Sequence, residues 1–198
     1  HAAKIADVPT ARYAVETGMV DLVGMTRALM ADPNLPNRVA AKQEDRIRPC
    51  VGASMCIDGI YTAGAAFCIH NPATGRELDL PQVISTAAVM RTAAVVGGGP
   101  GGLEAARVLA ERGHAVTLFE ASDSLGGQVN IASRSPRRRD LQGIIDWRRQ
   151  ELVRLGVTVK LNTYVTGEDL AGSGFDVIIV ATGGIPHATR AAGAQKIG

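Results

Sequence analysis

All three cysteines of this chain lie within one short segment. Cys50, Cys56 and Cys68 are the only cysteines among its 198 residues. Thiolates at such spacings bind a tetrahedral zinc ion or an iron–sulfur cluster. A Cys-x-x-Cys-x-x-Cys series would place its middle sulfur at position 53, but the residue there is Ala53. The spacing therefore predicts a metal site that has three cysteine ligands and lacks a fourth.

Composition favours metal or redox chemistry at these cysteines and argues against several other classes of protein. Hydrophobic residues make up 46% of the chain and charged residues 20%, which is typical of a globular protein with a buried core. A formal net charge of +2 argues against a nucleic-acid-binding surface. No apolar run approaches the roughly 18 residues that cross a bilayer, and no signal-peptide pattern opens the chain. We therefore expect a soluble cytoplasmic protein, in which clustered cysteines are metal ligands or redox groups.

A glycine-rich turn predicts a phosphate-binding site further along the chain. Gly97, Gly99 and Gly102 form a Gly-x-Gly-x-x-Gly pattern between an apolar stretch and a helical one. In that order, the glycines permit a tight turn, close approach of a pyrophosphate and close packing of the helix on the sheet. Glu120 ends the next apolar stretch, 18 residues after Gly102, where a carboxylate accepts hydrogen bonds from an adenosine ribose. Together these residues predict a dinucleotide-binding βαβ unit.

The elements after this unit predict that it belongs to an α/β sheet. Apolar residues recur with helical spacing between residues 137 and 156, and a glycine follows in the C-cap position. We assign the arginines of this helix to a solvated face and give them no function. Short apolar stretches at residues 157–161 and 177–180 then predict two buried strands.

The first 45 residues predict mostly helices. One helix runs from Val8 to Gly18, with Pro9 in its first turn, and a short strand follows at residues 20–23. A turn and a short helix occupy residues 24–33, and a further helix runs from about 35 to 42. One strand flanked by helices cannot close a sheet by itself. These elements therefore either pack on the second half of the chain or belong to a longer protein.

Two further motifs resemble those of FAD-dependent enzymes that have two dinucleotide domains. The stretch ending in Gly126-Gly127-Gln128 resembles their second glycine pair, and residues 175–184 resemble their strand and Ala-Thr-Gly turn. This resemblance adds Gly127 and Gln128 to the expected cofactor-binding residues. It favours FAD, or its ADP half, over NAD. Glu120 alone cannot make that distinction, because both cofactors carry the same adenosine diphosphate.

The order of the motifs resembles that of the larger old yellow enzyme relatives. The segment from Gly24-Met-Thr-Arg27 to Ala-Asp-Pro-x-Leu-Pro is similar to the last βα unit of their FMN-binding (β/α)8 barrel. Arg48-Pro-Cys50-Val-Gly and Cys68-Ile-His-Asn-Pro-Ala-Thr-Gly resemble the iron–sulfur segment of trimethylamine dehydrogenase, histamine dehydrogenase and 2,4-dienoyl-CoA reductase. In that family, as here, the dinucleotide domain follows directly.

This resemblance implies an α/β fold in three parts. Residues 1–48 would be the last part of the flavin barrel, residues 49–90 the cysteine segment and linker, and residues 91–198 an incomplete FAD- or ADP-binding domain. The chain would then be an internal fragment of a longer enzyme. By the same resemblance, the backbone at Gly24 and the side chain of Arg27 would hold the FMN phosphate. The three cysteines would ligate the iron–sulfur cluster.

The resemblance also implies an activity. In the family, FMN takes a hydride from the substrate and electrons pass through the cluster. The pattern Cys-Val-Gly-Ala-x-x-Cys-Ile-Asp-x-Ile-Tyr resembles demethylases of dimethylglycine or N-methylproline, which implies oxidation of an N-methyl amine whose iminium product hydrolyses to formaldehyde. The implied partners are a small-molecule substrate, NAD(P)H or an electron-transfer flavoprotein, and further copies of the full-length chain. No catalytic acid or base is identified.

Several alternatives stay open at this point. The enzyme could instead use NAD(P)H to reduce an enoate or a 2,4-dienoyl-CoA. It could also be an FAD and iron–sulfur electron-transfer module like the small subunit of glutamate synthase, or a zinc-stapled structural domain. Because Ala53 cannot ligate iron, the cluster could have four irons, three irons or be absent. His70, two residues after Cys68, is a candidate for the missing ligand.

Overall fold

A four-stranded sheet forms the centre of the second half of the chain. The computed structural model describes residues 1–2 and 5–184. Its strands are β1 (Thr92–Val96), β2 (Ala115–Phe119), β3 (Thr158–Lys160) and β4 (Val177–Val180). Their order is β3-β2-β1-β4, and all neighbouring strands are parallel. This arrangement confirms the predicted α/β sheet and the positions of both strands expected after residue 156. Their predicted burial is wrong: the side chains of β3 and β4 are exposed or half-buried, because these two strands form the edges of the described sheet.

Helices of very different lengths connect and precede these strands. Within the described residues the α-helices are α1 (Val8–Glu16), α2 (Thr26–Ala31), α3 (Leu35–Ala40), α4 (Met55–Ala63), α5 (Pro100–Glu111), α6 (Gln128–Ala132), α7 (Gly143–Arg154) and α8 (Gly167–Leu170). Short 3-10 turns lie at Glu44–Arg46 and Arg139–Gln142. None of the helices in this part of the chain is long and apolar enough to cross a membrane.

The main core lies between the sheet and helices α5 and α7. Val95 of β1, Leu103 of α5 and Ile145 of α7 are all completely buried in one apolar cluster. Helix α5 connects β1 to β2, which makes the predicted βαβ unit. Parallel strands need such a crossover, and burial on both faces explains why β1 has alanine and valine rather than alternating polar residues.

The N-terminal helices have the boundaries that their capping residues favour. Helix α1 begins after Asp7, whose carboxylate accepts a hydrogen bond of 2.8 Å from the backbone N–H of Thr10. Pro9 occupies the first turn, where its missing N–H costs nothing. The helix ends just before Gly18, which has a φ of +70°. These features confirm the predicted helix.

The strand predicted at residues 20–23 is wrong, because this segment is irregular. Its nearest backbone neighbour is His1, whose amino group donates to the carbonyl of Leu22 at 2.7 Å and whose carbonyl accepts from the N–H of Gly24 at 2.7 Å. The side chain of Leu22 is 79% exposed. An apolar stretch becomes a strand only where neighbouring strands satisfy its backbone, and the described residues provide no such ladder here.

The cysteine segment packs directly onto the nucleotide-binding half. Val51 is buried within the same apolar cluster as the sheet and helix α7. At Gly143, the first residue of α7, an added Cβ would lie 3.3 Å from the side chains of both Pro49 and Val51. The indole N–H of Trp147 donates to the carbonyl of Arg46 at 3.0 Å. These contacts fix the cysteine segment against α7.

Candidate nucleotide and metal sites

The glycine turn has the geometry that its sequence predicts. Gly97 has a φ of +104°, a conformation that side chains rarely tolerate. A methyl group at Gly102 would collide with the carbonyl oxygen of Gly97, so this glycine allows α5 to approach the end of β1. An added Cβ at Gly99 would meet no atom within 4 Å. The backbone is therefore tightly packed around Gly97 and Gly102, whereas free space lies beside Gly99.

The second glycine pair lies against this turn. The N–H of Gly126 donates to the carbonyl of Gly98 at 2.8 Å. Gly127 has a φ of +51°, and an added Cβ there would lie 3.3 Å from the Cα of Gly99. Gln128 follows as the exposed first residue of α6. The structure thus brings together two glycine motifs that are more than twenty residues apart in sequence.

Glu120 closes the same site from the end of β2. One carboxylate oxygen accepts from the N–H of Gly98 at 2.6 Å, and the other accepts from the N–H and the hydroxyl of Ser122 at 2.8 and 2.6 Å. Burial raises the pKa of Glu120, but these hydrogen bonds outweigh burial and hold the pKa below its ordinary value. The side chain is therefore ionised at neutral pH and lies beside the turn.

Helix α5 points its N-terminus into the open side of the turn. Its N-cap residue is Gly99, and no side chain caps the helix there. The first backbone N–H groups of a helix have no partners within the helix and carry partial positive charge. Together with the space at Gly99, they make a site that suits a pyrophosphate.

The three cysteines line one cavity. Cys50 lies in the extended segment before α4, Cys56 in the first turn of α4, and Cys68 in the loop after it. All three are free and half-buried. Ala53 lines the same cavity, so the position that lacks a sulfur faces the same space as the three sulfurs.

Zinc and iron–sulfur clusters require different arrangements of cysteine sulfurs. In the part of the chain that the structure describes, no three side chains of His, Cys, Asp or Glu are grouped to hold one metal ion. A zinc site requires its sulfurs about 2.3 Å from a common centre. In an iron–sulfur cluster each cysteine binds a different iron, so its ligands surround a larger space. The three thiols line one cavity, but in the described residues they do not share one tetrahedral centre.

His70 does not lie on the cavity that the cysteines share. It is completely buried, and its Nδ1 lies 2.9 Å from the carbonyl oxygen of Pro49. Because a carbonyl only accepts, Nδ1 carries the proton, and Nε2 has no hydrogen-bond partner among the described residues. Burial and the nearby charge of Arg148 lower the pKa of His70 to about 3. His70 is thus a neutral residue that holds Pro49 next to Cys50.

Of the two residues expected to hold the FMN phosphate, the structure brings only one to the cysteines. Arg27 is half-buried at the start of α2 and lines the cysteine cavity. Gly24 is exposed, and its N–H already donates to the carbonyl of His1.

A buried charged cluster around Trp147 was not anticipated from the sequence. The guanidinium groups of Arg48, Arg107 and Arg148 lie 4.4, 5.5 and 6.0 Å from the centre of the indole ring. Glu104 accepts from Arg107 at 2.7 Å and from Arg148 at 2.9 Å. Arg148 is only 4% exposed, so the assignment of all the arginines of this helix to a solvated face is wrong. The sequence signal for this buried cluster was Trp147, the single tryptophan, which two arginines follow directly.

The charges in this cluster perturb one another strongly. Although burial alone would raise the pKa of Glu104, the surrounding guanidinium groups lower it to about 2. Burial is the main cause that lowers the pKa of Arg48 to about 10. Attraction to Glu104 raises this pKa, and repulsion from Arg107 and Arg148 lowers it. For the same reasons the pKa of Arg148 lies below its ordinary value. Glu104 is therefore the shared ion-pair partner of the buried Arg107 and Arg148, and its charge also attracts the half-buried Arg48.

Comparison with known proteins agrees with the dinucleotide-binding unit. Residues 95–147 match the family described as an NAD(P)-binding Rossmann-like domain. The match begins within β1 and ends within α7, so it includes the glycine turn, Glu120 and the second glycine pair.

Curated relatives align with nearly the whole chain. Probable N-methylproline demethylase of Rhizobium meliloti (strain 1021) is 55% identical over 187 residues, which are 94% of this chain and 28% of that protein. The multifunctional alkene reductase/demethylase OYE of Caballeronia cordobensis is 51% identical over 195 residues, which are 98% of this chain and 28% of that protein. The chain thus spans about 28% of the length of these curated relatives.

A solved structure extends this similarity to the fold. The complex of 2-naphthoyl-CoA reductase with 2-naphthoyl-CoA superposes with a TM-score of 0.89 at 35% sequence identity, over 96% of this chain and 29% of that one. The agreement therefore includes the N-terminal helices and the cysteine segment as well as the sheet. Over nearly its whole length, this chain is therefore similar to one part of these larger demethylases and reductases.

Proposed function

We propose that this chain is the electron-bridging part of a flavin-dependent oxidoreductase that oxidatively demethylates a secondary or tertiary N-methyl amine. One observation carries the proposal: three cysteines and Arg27 line one cavity in a segment that packs directly on the nucleotide-binding sheet. The 55% identity to a probable N-methylproline demethylase supports the class of substrate.

Arg27 and Gly24 would bind the FMN phosphate. The half-buried guanidinium of Arg27 is a suitable donor for phosphate oxygens because it presents several N–H groups in a fixed plane. The N–H of Gly24 would have to exchange its present bond to His1 for one to the phosphate. Arg27 is therefore the stronger of the two candidates.

The glycine turn would bind FAD or its ADP half. Gly97 and Gly102 shape the turn, and Gly99 leaves room for the pyrophosphate at the start of α5. Glu120 would accept hydrogen bonds from the ribose hydroxyls. Its carboxylate is ionised, and a hydrogen bond from the N–H of Gly98 holds it beside the turn. Gly127 and Gln128 would border the same nucleotide, since Gly127 lies against Gly99.

Cys50, Cys56 and Cys68 would ligate an iron–sulfur cluster, with Ala53 facing the corner that lacks a protein sulfur. Buried His70 would keep the first of these cysteines in place through its bond to Pro49. A bound flavin would supply the hydride acceptor and a bound cluster would carry electrons away singly. The substrate would lose a hydride from its N-methyl carbon, and water would hydrolyse the resulting iminium to formaldehyde and the demethylated amine.

The remaining parts of the proposal follow from the same family relationship. Residues 1–48 would complete a flavin barrel, residues 49–90 would form the cysteine segment and linker, and residues 91–198 would form the nucleotide domain. Of the last range, residues 185–198 lie outside the described part of the chain. The electron partner would be NAD(P)H or an electron-transfer flavoprotein, and the full-length enzyme would be a cytoplasmic homo-oligomer.

A direct test uses the full-length protein, purified without oxygen. Flavin, iron and sulfide are quantified, and flavin absorbance is then followed after addition of N-methylproline or dimethylglycine. We expect the absorbance to bleach and formaldehyde to form, whereas proline, which has the same ring and carboxylate but no N-methyl group, causes neither change. An Arg27→Gln variant is expected to retain less FMN, while Arg149→Gln, which removes an exposed arginine from α7, retains the normal amount.

Alkene reduction is the second candidate. It is favoured by the 51% identity to a protein named for both alkene reduction and demethylation, and by the structural agreement with 2-naphthoyl-CoA reductase. If NADPH bleaches the flavin, an enoyl thioester restores its colour and no N-methyl amine bleaches it, then reduction is the activity and the demethylase proposal is wrong.

A further inference from the structure

A second cavity lies on the outer side of α5, away from the glycine turn. It is enclosed by Arg48, by residues 71–73, by the linker at residues 80–85 and by the middle and end of α5. None of the glycines or acidic residues assigned to the nucleotide borders it. Its free volume of about 240 Å³ is smaller than the roughly 300–1,000 Å³ of pockets for drug-sized ligands. The space therefore suits a small molecule.

The charges on its wall do not cancel. Glu104 borders the cavity, but its carboxylate is already engaged by Arg107 and Arg148. Arg107 is in turn satisfied by Glu104 and by Glu111, at 2.7 Å each. The carboxylates on this side of α5 are thus used by other arginines.

Two guanidinium groups on the wall of this cavity have no carboxylate partner in the described part of the chain. Arg48 is half-buried, stacks on Trp147 and, within the described residues, neither forms an ion pair nor donates a side-chain hydrogen bond. Arg112, at the end of α5, is half-buried and likewise has no carboxylate partner in the described part of the chain. Both guanidinium groups are half-buried and keep N–H donors free of protein acceptors in the described residues, so an oxyanion in the cavity could accept charge-assisted hydrogen bonds from them.

The remaining wall is mostly apolar. Pro72, Leu80, Pro81, Ile84 and Val108 line much of the remaining space, together with the polar side chains of Asn71, Gln82 and Ser85. A ligand with one anionic group and a small hydrocarbon part would match both sides, because apolar walls exclude water and strengthen the charge contacts.

We propose that this cavity binds a small oxyanion, either a phosphate or a carboxylate-bearing compound, through Arg48 and Arg112. The planar guanidinium of Arg48 is held by stacking on Trp147 and so is positioned before the ligand arrives. The site is separate from both the nucleotide and the cysteine cavity, and its existence does not depend on the proposed reaction.

Binding can be measured by titrating the full-length holoenzyme with inorganic phosphate and, separately, with propionate in a calorimeter. Ionic strength is held constant with sodium chloride, and saturating ADP fills the glycine turn so that phosphate cannot bind there. We expect one saturable site per chain for at least one of the two probes. Phosphate binding alone would identify a phosphate site, and propionate binding alone would identify a carboxylate site.

Variants assign the signal to the cavity. Arg48→Gln is expected to raise Kd about tenfold to a hundredfold, which is the value of a charge-assisted hydrogen bond. Arg112→Glu places a negative charge at the edge of the cavity and is expected to abolish binding. Arg149→Gln, which makes the same charge change as Arg48→Gln on an exposed part of α7, should leave Kd unchanged.

Circular dichroism and thermal unfolding establish that each variant is folded. If Arg48→Gln fails to fold because Trp147 loses its partner, Arg112→Glu still decides the question. Absence of a saturable site for both probes, or an unchanged Kd in a folded Arg48→Gln or Arg112→Glu variant, would overturn the proposal.

Discussion

Replacement of Glu104 by glutamine should strongly destabilise the junction between the cysteine segment and the sheet. Glutamine keeps the size of the side chain but leaves Arg107 and Arg148 without their shared carboxylate. The pKa of Glu104 falls from 4.5 to about 2 on folding, and each unit corresponds to 1.36 kcal/mol, so the ionised form contributes about 3 kcal/mol. Loss of one partner from a buried ion pair independently suggests about 3–5 kcal/mol. The pKa shift and the loss of an ion-pair partner therefore predict a similar decrease in the free energy of unfolding.

The sign of the pH dependence follows from the lowered pKa. Because folding lowers the pKa of Glu104, its stabilisation is complete above pH 4.5 and is lost as the pH falls toward about 2. The free energy of unfolding of the Glu104→Gln variant should therefore lie about 3 kcal/mol below that of the unsubstituted protein at pH 7. The difference should shrink steadily below pH 4.5.

Urea unfolding at a series of pH values measures this difference. Glu16→Gln, an exposed substitution at the end of α1 with the same change of charge, should alter the free energy of unfolding by less than about 0.5 kcal/mol. A difference below about 1 kcal/mol at pH 7 for Glu104→Gln, or one that does not vary between pH 7 and 2, would refute the view that this carboxylate stabilises the buried Arg107 and Arg148.

Three further substitutions probe the nucleotide and cysteine sites. Gly102→Ala should lower the free energy of unfolding by about 1–3 kcal/mol and weaken ADP binding in calorimetry, because the new methyl group meets the carbonyl of Gly97, whereas Gly101→Ala enters open space and should be tolerated. Glu120→Gln should raise the Kd for ADP about tenfold by removing a charged acceptor, and an unchanged Kd would exclude a ribose contact. Ala53→Cys should raise the iron content, measured by chemical assay, toward four per chain; unchanged iron would mean that the loop departs from the cluster geometry at more than this residue.

The features that depend on local backbone geometry were predictable from the sequence. Gly97 and Gly102 occupy positions where a side chain is excluded by conformation or by contact, so their spacing alone indicates the turn. Helix α1 was predictable for the same kind of reason, because Asp7 and Gly18 determine its ends through neighbouring backbone groups.

The features that depend on distant contacts were not predictable. Residues 20–23 have the composition of a strand, but a strand requires a neighbouring backbone that composition does not reveal. Arg148 belongs to a helix rich in arginine, and its burial depends on contacts with distant residues, Glu104 of α5 and the carbonyl of His70. The shared cavity of the three cysteines likewise depends on how the loop after α4 folds back.

The position of Trp147 has a consequence for how this molecule can be observed. It is the only tryptophan in the chain, and it lies where the cysteine segment meets helix α7. Three guanidinium groups and the edge of the His70 ring surround its indole. Its fluorescence within this chain is therefore an intrinsic optical probe of whether the cysteine segment remains docked on α7.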